Sequence, residues 1–451
     1  MTATKIWLNR QVSIAPLITF RITFGAIMLF SIIRFWLNGW IETQYIKPRF
    51  YFTYMGFDWV RPLGETYTYI LFLVMGIAAF MVLIGLWYKV AQLVFFVSFS
   101  YTELIDVTNY LNHYYFISIV SFLLIFLPAN RSLSADVYLC PAKKRTHVPF
   151  WMIGVIRVQM GMVYFFAGLA KLNTDWMLDA LPMKIWLPAK SHLPVLGSLM
   201  YKEWVAYIFS WFGAIYDLSI VFFLISKATR SYAYIAVIGF HLFTALFFPA
   251  IGMFPYVMIL SSLIFMDAEF HQRLLSWFTH KAYFNNIVLN FQLTKRSNST
   301  LLYVMAIFFI LQALLPFRYL LYPSPLFWYE EGYRFSWRVM LMEKSGNTFF
   351  YVKEPATGKV FEVNNPEFLT GQQEKMMSTQ PDMIIRYAHY LKSVYQHRGV
   401  HDPEVYAEGF VALNGEPSKP FINPTINLSA QELSWRHVKY ILPFSKSYTQ
   451  Q

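Results

Sequence analysis

From the N-terminus to about Pro316 the chain alternates long apolar blocks with short polar loops, and beyond Pro316 that pattern stops. Crossing the ~30 Å hydrocarbon core of a bilayer takes about 20 apolar residues in a helix. Nine blocks approach that length: residues 14–37, 67–88, 90–105, 113–128, 150–170, 205–226, 231–248, 254–266 and 300–316. The third, fourth and eighth fall short and are expected as tilted, re-entrant or paired half-helices, so the number of crossings is about nine, give or take one or two. The first block is too long for a signal-peptide core and is followed by no small-residue cleavage site, so it is expected to be retained.

The remainder reads differently. Alternating runs at 335–342 and 348–352, a turn at Gly358 and a second at Asn364-Asn365-Pro366 predict strands. Residues 381–397 place Ile384, Ile385, Ala388 and Leu391 at helical spacing with Arg386 and Lys392 between them, and 405–413 predicts another strand. The fold class is therefore a polytopic α-helical membrane protein (residues 1–316) with a small C-terminal α+β extracytoplasmic domain (residues 317–451).

Composition agrees: 57% of residues are hydrophobic and 14% charged, against about 25% charged in an ordinary soluble domain. The net charge of +12 could belong to a nucleic-acid or anionic-lipid surface, but its distribution decides otherwise. With the N-terminus inside, the inner loops carry thirteen Lys and Arg and three acids, the outer loops seven and eight, and the tail fourteen and thirteen. That asymmetry is the positive-inside signal. It places the N-terminus in the cytoplasm and the C-terminal domain outside. Cys140 is the single cysteine, which excludes an internal disulfide and any multi-cysteine metal site.

Ionisable groups within membrane segments are costly and are candidates for function. Arg21, Arg34, Arg157, Asp217 and His241 lie there. Arg21 and Arg34 are expected to snorkel or to pair with polar partners, and Arg157 with Asp217 to form a buried ion pair. His113, at the start of the fourth block, and Lys171, at the end of the fifth, reach the same outer leaflet in this topology. Ala167, Gly168 and Ala170 leave room for a flat ligand beside that helix. Burial among apolar neighbours favours the neutral amine, the form in which a lysine acts as a base. A hydrophobic cofactor is implied. No P-loop, G-x-G-x-x-G, H-E-x-x-H or nucleophile elbow occurs, and the ten scattered histidines give no metal-ligand spacing.

Several stretches resemble the vitamin K-dependent γ-glutamyl carboxylases and their bacterial relatives with the same transmembrane domain. They are Asn112-His113-Tyr114, His147-Val148-Pro149, Arg157-Val158-Gln159, Val163-Tyr164-Phe165 with Ala167-Gly168, and Lys171-Leu172 with Asp175-Trp176. The likeness continues through Asp217-Leu218-Ser219, His241, Ile251-Gly252-Met253-Phe254, Tyr256-Val257-Met258, Tyr333 and Ser336-Trp337. It spans residues 100–340, with a similar stretch at 55–63.

The resemblance implies an enzyme that deprotonates reduced vitamin K (a naphthohydroquinone). Reaction with O2 then gives a base strong enough to take a γ-proton from protein glutamate, and the carbanion captures CO2. The products are γ-carboxyglutamate and the quinone epoxide, and no metal is needed. Carried over residue by residue, Lys171 is the base and His113 its catalytic partner. Asn112, Gly168, His241 and Arg157 are cofactor-binding, and Tyr333, Trp337 and Lys344 are substrate contacts. The expected partners are a glutamate-containing protein or peptide, a membrane quinone and the lipid bilayer, without nucleic acid. Two departures stand out. Animal members have a longer luminal region with a structural disulfide, and after Ser-Trp they bring a histidine and an arginine where this chain has Arg338-Val339-Met340-Leu341-Met342-Glu343-Lys344. Lys344 could replace that arginine, without its bidentate geometry. Quinol epoxidation without carboxylation, or a non-enzymatic quinone- or lipid-binding module, are the alternatives.

Overall fold

The computed structural model describes residues 3–194, 196–278, 288–323 and 325–446; Lys281, counted among the inner-loop cations, lies outside them. Six helices are long and apolar enough to cross a membrane among the described residues. They are α1 (Ala15–Leu37), α2 (Glu65–Ile84), α5 (Phe150–Ala170), α6 (Glu203–Ile225), α7 (Arg230–Phe247) and α9 (Lys295–Leu314), the last prolonged by a 3-10 stretch to Leu321. The three short blocks are also helical: α3 (Tyr88–Ile105), α4 (Asn112–Phe126) and α8 (Phe254–Ser262). At 1.5 Å per residue the 15 residues of α4 rise only about 22 Å. α3 carries Lys89, Gln92 and Glu103 among its apolar residues. Six of the nine blocks are thus long and apolar enough to span among the described residues, and the count of nine is not confirmed. Large apolar side chains such as Phe222, Ile225, Ile307, Ile310, Leu311 and Leu314 remain more than half exposed, as a lipid-facing wall requires.

The helix ends follow their chemistry. α1 carries Pro16 in its first turn, where a missing N–H costs nothing. α2 stops at Gly85, whose φ of +68° lets Leu86 N–H return to the Met81 carbonyl at 2.9 Å. A Cβ on Gly85 would fall 2.5 Å from Arg21 Nη1. Arg21 is 1% exposed and donates to the carbonyls of Ala129 (3.2 Å) and Leu133 (2.6 Å), and the Arg34 guanidinium lies 4.6 Å from the centre of the Trp40 ring. Both therefore have polar or aromatic partners and serve packing. A two-stranded pairing of β1 (Gln11–Ser13) with β2 (His147–Pro149) ties the start of α1 to the start of α5.

The C-terminal region is an antiparallel sheet in the order β4-β3-β5-β6, with β3 (Lys344–Lys353), β4 (Val360–Glu362), β5 (Glu404–Leu413) and β6 (Lys419–Pro420). Alternation decides its faces. Thr348, Phe350 and Val352 of β3 and Val405, Ala407 and Val411 of β5 are buried, against α11 (Pro381–His397), whose Ile384, Ile385, Ala388 and Leu391 are at most 1% exposed. A shorter helix, α10 (Gly371–Met377), opens on a capping box at Thr370 and Gln373. Gln373 also reaches back to the membrane domain, donating to Asp106 Oδ2 (2.8 Å) and the Phe50 carbonyl (2.7 Å). Arg386 donates to Asp58 Oδ1 at 2.6 Å and Phe50 stacks on Tyr390 at 4.4 Å. The loops after α1 and α3 thus hold the C-terminal region in place.

Residues 335–342, predicted as a strand, instead form an irregular strap. Phe335, Trp337 and Met340 have φ of +58°, +59° and +50°, which no strand allows. Tertiary contacts impose this shape. Phe335 N–H donates to Tyr110 Oη (2.8 Å), Tyr110 O–H to Asn112 Oδ1 (3.1 Å), and Asn112 Nδ2 to the Arg338 carbonyl (2.9 Å), while Trp337 stacks on Tyr115 at 4.9 Å.

Arg334 and Asp382 pair at 2.6 Å beside this strap. Burial pushes the Asp382 carboxyl up, but the charge and hydrogen bonds of Arg334, with Arg386 beyond, hold it below the ordinary carboxylate value. A depressed folded value means stability present above about pH 4 and lost as the pH falls further. Asp382→Asn is expected to cost about 1–2 kcal/mol in thermal or denaturant unfolding at pH 7, less than a fully buried pair because the aspartate is 40% exposed. The difference from the parent should vanish in acid.

Candidate active site

α5 and α6 approach each other closely because glycines on α5 face α6. A Cβ on Gly161 would lie 3.4 Å from Val221, and one on Gly168 would lie 2.7 Å from Leu218 Cγ and 2.8 Å from the Leu218 backbone nitrogen. The second contact admits no side chain. Gly168→Val is expected to force the helices apart, at about 1–3 kcal/mol of overpacking, and to lower the unfolding temperature of the purified protein.

This contact brings together Lys171, the residue that ends α5, and Asp217 on the facing turn of α6. Lys171 Nζ lies 2.6 Å from Asp217 Oδ2 and 3.1 Å from the Ala167 carbonyl, with both side chains under 10% exposed. Asn173 locks the helix end: its Oδ1 accepts from Trp176 N–H at 3.0 Å and its Nδ2 donates to the Ala170 carbonyl at 3.0 Å. Trp176 then donates Nε1–H to the Ser210 carbonyl of α6 (2.7 Å) and sets its ring 5.5 Å from Lys171 Nζ. Gly213 of α6 lies beside the lysine, where a Cβ would make an ordinary contact with Lys171 Cε at 3.9 Å.

The pair opens into a cavity of about 490 Å³ between α5, α6, α7 and α8. Its wall is mainly apolar and rich in aromatic rings, among them Phe212, Phe240, Phe243, Phe248 and Phe254. Polar groups are few. His241 Nε2 meets Tyr164 Oη at 3.0 Å, Tyr164 in turn meets Ser262 Oγ at 3.2 Å, and His241 Nδ1 is buried without a hydrogen-bond partner among the described residues. An apolar, aromatic-walled cavity with one lysine–carboxylate pair and one unsatisfied imidazole nitrogen has the size and chemistry of a site for a flat, hydrophobic, hydroxyl-bearing ligand. A fused bicyclic quinol fits that description.

The expected residues divide. Lys171 and His241 line this cavity and Gly168 permits its geometry. His113 lines a neighbouring cavity of about 300 Å³, and Phe254 stands between the two, its ring 6.0 Å from His113 and 5.8 Å from His241. Asn112 braces the strap at Arg338 rather than facing the cavity. Arg157 does not pair with Asp217. It donates Nε–H to the Ile264 carbonyl at 2.9 Å, fourteen residues before Lys171, which is about 21 Å along α5. Trp337 is packed on Tyr115, and Tyr333 lies near Phe327. Lys344 is held by Glu330 (2.8 Å) and the Trp328 carbonyl (2.7 Å) in the C-terminal core. Asp217 as the lysine's partner, Tyr164 and Trp176 are additions from the structure. All three fall in the stretches that resemble the carboxylases, but only the fold shows what each touches.

A helical membrane domain enclosing an aromatic-walled cavity at the end of one span defines the class: residues 9–270 match the family model of the HTTM domain. Residues 297–447 match that of the vitamin K-dependent gamma-carboxylase lumenal domain. The chain belongs to the vitamin K-dependent gamma-carboxylase family, as a carboxylase-type membrane protein. No solved structure matches it.

Proposed function

We propose that the protein is a quinol-dependent γ-glutamyl carboxylase, with residues 1–316 as its membrane catalytic domain and 317–451 as its extracytoplasmic domain. The observation that carries this reading is the Lys171–Asp217 contact of 2.6 Å opening into the aromatic-walled cavity. When bound, a reduced naphthoquinone supplies, with O2, the strong base that takes a glutamate γ-proton before CO2 adds, and it leaves as the epoxide with water. Lys171, as the neutral amine, accepts a hydroxyl proton at Nζ, and Asp217 stabilises the ammonium that results. His241 offers Nδ1 to the ring's other oxygen, its orientation set by Tyr164. The phenylalanines keep water from the reacting atoms. His113 holds Phe254 from behind, and Asn112 acts through the strap.

The loop charges support a cytoplasmic N-terminus and an extracytoplasmic C-terminal domain. That arrangement needs an odd number of crossings, so at least one of α3, α4 and α8 spans with the six long helices. A reporter fusion at Gln451 should signal the outside.

Purified protein is to be incubated with reduced naphthoquinone, O2, labelled bicarbonate and a glutamate peptide. Epoxide together with incorporated label is expected. Epoxide alone makes the protein an epoxidase, and neither product overturns the enzymatic reading.

A further inference from the structure

A second cavity, of about 500 Å³, lies on the other side of the α5 end, where the membrane helices meet the C-terminal region. Its wall includes Phe166, Asn173, Tyr319, Phe327 and Leu413. The strap divides it from the Lys171 cavity: Ser336 and Arg338 face the second cavity, while Val339 and Met340 face the first. Three left-handed, non-glycine residues within six positions make the strap a costly backbone, and such strain collects at functional sites.

Charge in this cavity is unbalanced. Lys446 and Asp175 pair at 2.8 Å and cancel, and Asp175 accepts a further bond from Asn414 Nδ2 at 2.8 Å. Among the described residues Arg338 has no such carboxylate partner. It is 8% exposed, its Nε is buried without a hydrogen bond, and its guanidinium lies 4.5 Å from the centre of the Tyr319 ring. Burial pulls its pKa below the ordinary arginine value, opposed by the tyrosines Tyr333 and Tyr319 and not by any carboxylate. A buried guanidinium without an anion is costly unless one arrives. Its planar fork is built to take a carboxylate through two N–H groups. The rest of the machinery holds it still, since Asn112 fixes its carbonyl and the Tyr319 ring its side chain.

We infer that this cavity is an acidic-peptide subsite in which Arg338 pairs with a side-chain carboxylate of the acceptor segment. The inference rests on the carboxylase reading for what is bound, but not for whether it is bound. It gives Arg338, rather than Lys344, the substrate contact: Lys344 is already neutralised by Glu330.

The test is binding, measured by fluorescence anisotropy on the full chain in detergent, of a labelled glutamate peptide and of the same peptide with glutamine throughout. The parent should prefer the glutamate peptide at least tenfold. Arg338→Gln should abolish the preference, and Arg338→Lys should restore part of it. Should Arg338→Gln fail to fold, Leu172→Trp tests the same cavity from its exposed rim and should weaken the glutamate peptide at least tenfold. No preference in the parent, an unchanged preference in Arg338→Gln, or no effect of Leu172→Trp overturns the inference. A preference that depends on Arg338 in a protein making neither epoxide nor carboxylated product would sink the catalytic reading and leave the subsite standing.

Discussion

Lys171→Ala is expected to reduce quinol oxidation by about 10²- to 10⁴-fold, the usual contribution of a positioned general base, while the protein stays folded. Among the described residues Lys171 Nζ hydrogen-bonds Asp217 and the Ala167 carbonyl and faces the Trp176 ring, so truncation leaves a gap beside the cavity rather than a broken helix. A small amine added to the assay should enter that gap and recover part of the rate. Lys171→Arg should not recover it, because a guanidinium does not release its proton in this range. The measurement is quinol consumption against amine concentration for the three proteins. Full activity in Lys171→Ala would remove the lysine from the chemistry and leave the cavity as a carrier's binding site.

How far the sequence could see depends on what each residue's role is local to. The spans were legible because span length and the sorting of Lys and Arg are properties of contiguous segments. β3, α11 and β5 followed from periodicity and lie close to where it places them. Lys171 stood out as a cation at the end of an apolar helix. Its partner did not, because Asp217 is 46 residues away and Arg157 is an equally plausible cation on paper. Only the rise of α5, which carries Arg157 to Ile264, separates them. The strap failed for a different reason. Its alternation of large and small residues satisfies a strand pattern, but Tyr110, Asn112 and Tyr115, more than 200 positions earlier, fold it out of the strand region. Arg338 stands in the sequence only as part of a departing stretch, without a role, because what distinguishes it is a missing carboxylate, which is a fact of three-dimensional neighbours alone.

The second large effect is expected at Asp217, and it separates a structural pair from a working one. Asp217→Asn leaves the lysine charge buried beside an amide, and removing one member of a pair this well buried typically costs about 3–5 kcal/mol. Quinol oxidation should fall with it, mainly in kcat, since the carboxylate is placed to stabilise the proton on Lys171 and not to hold the ligand. Loss of stability alone would explain both results if the pair were only a clamp between α5 and α6. The double variant Lys171→Met with Asp217→Leu removes that ambiguity. Paired hydrophobes of similar volume generally do as well as a buried ion pair or better, and the Gly168–Leu218 contact that brings the helices together is untouched. The double variant should therefore regain the stability lost in Asp217→Asn and remain inactive. Should it stay as unstable as the single variant, the pair is the clamp. Should it recover, the fold does not need these charges, and their place beside an aromatic cavity is to be explained by the proton that Lys171 takes.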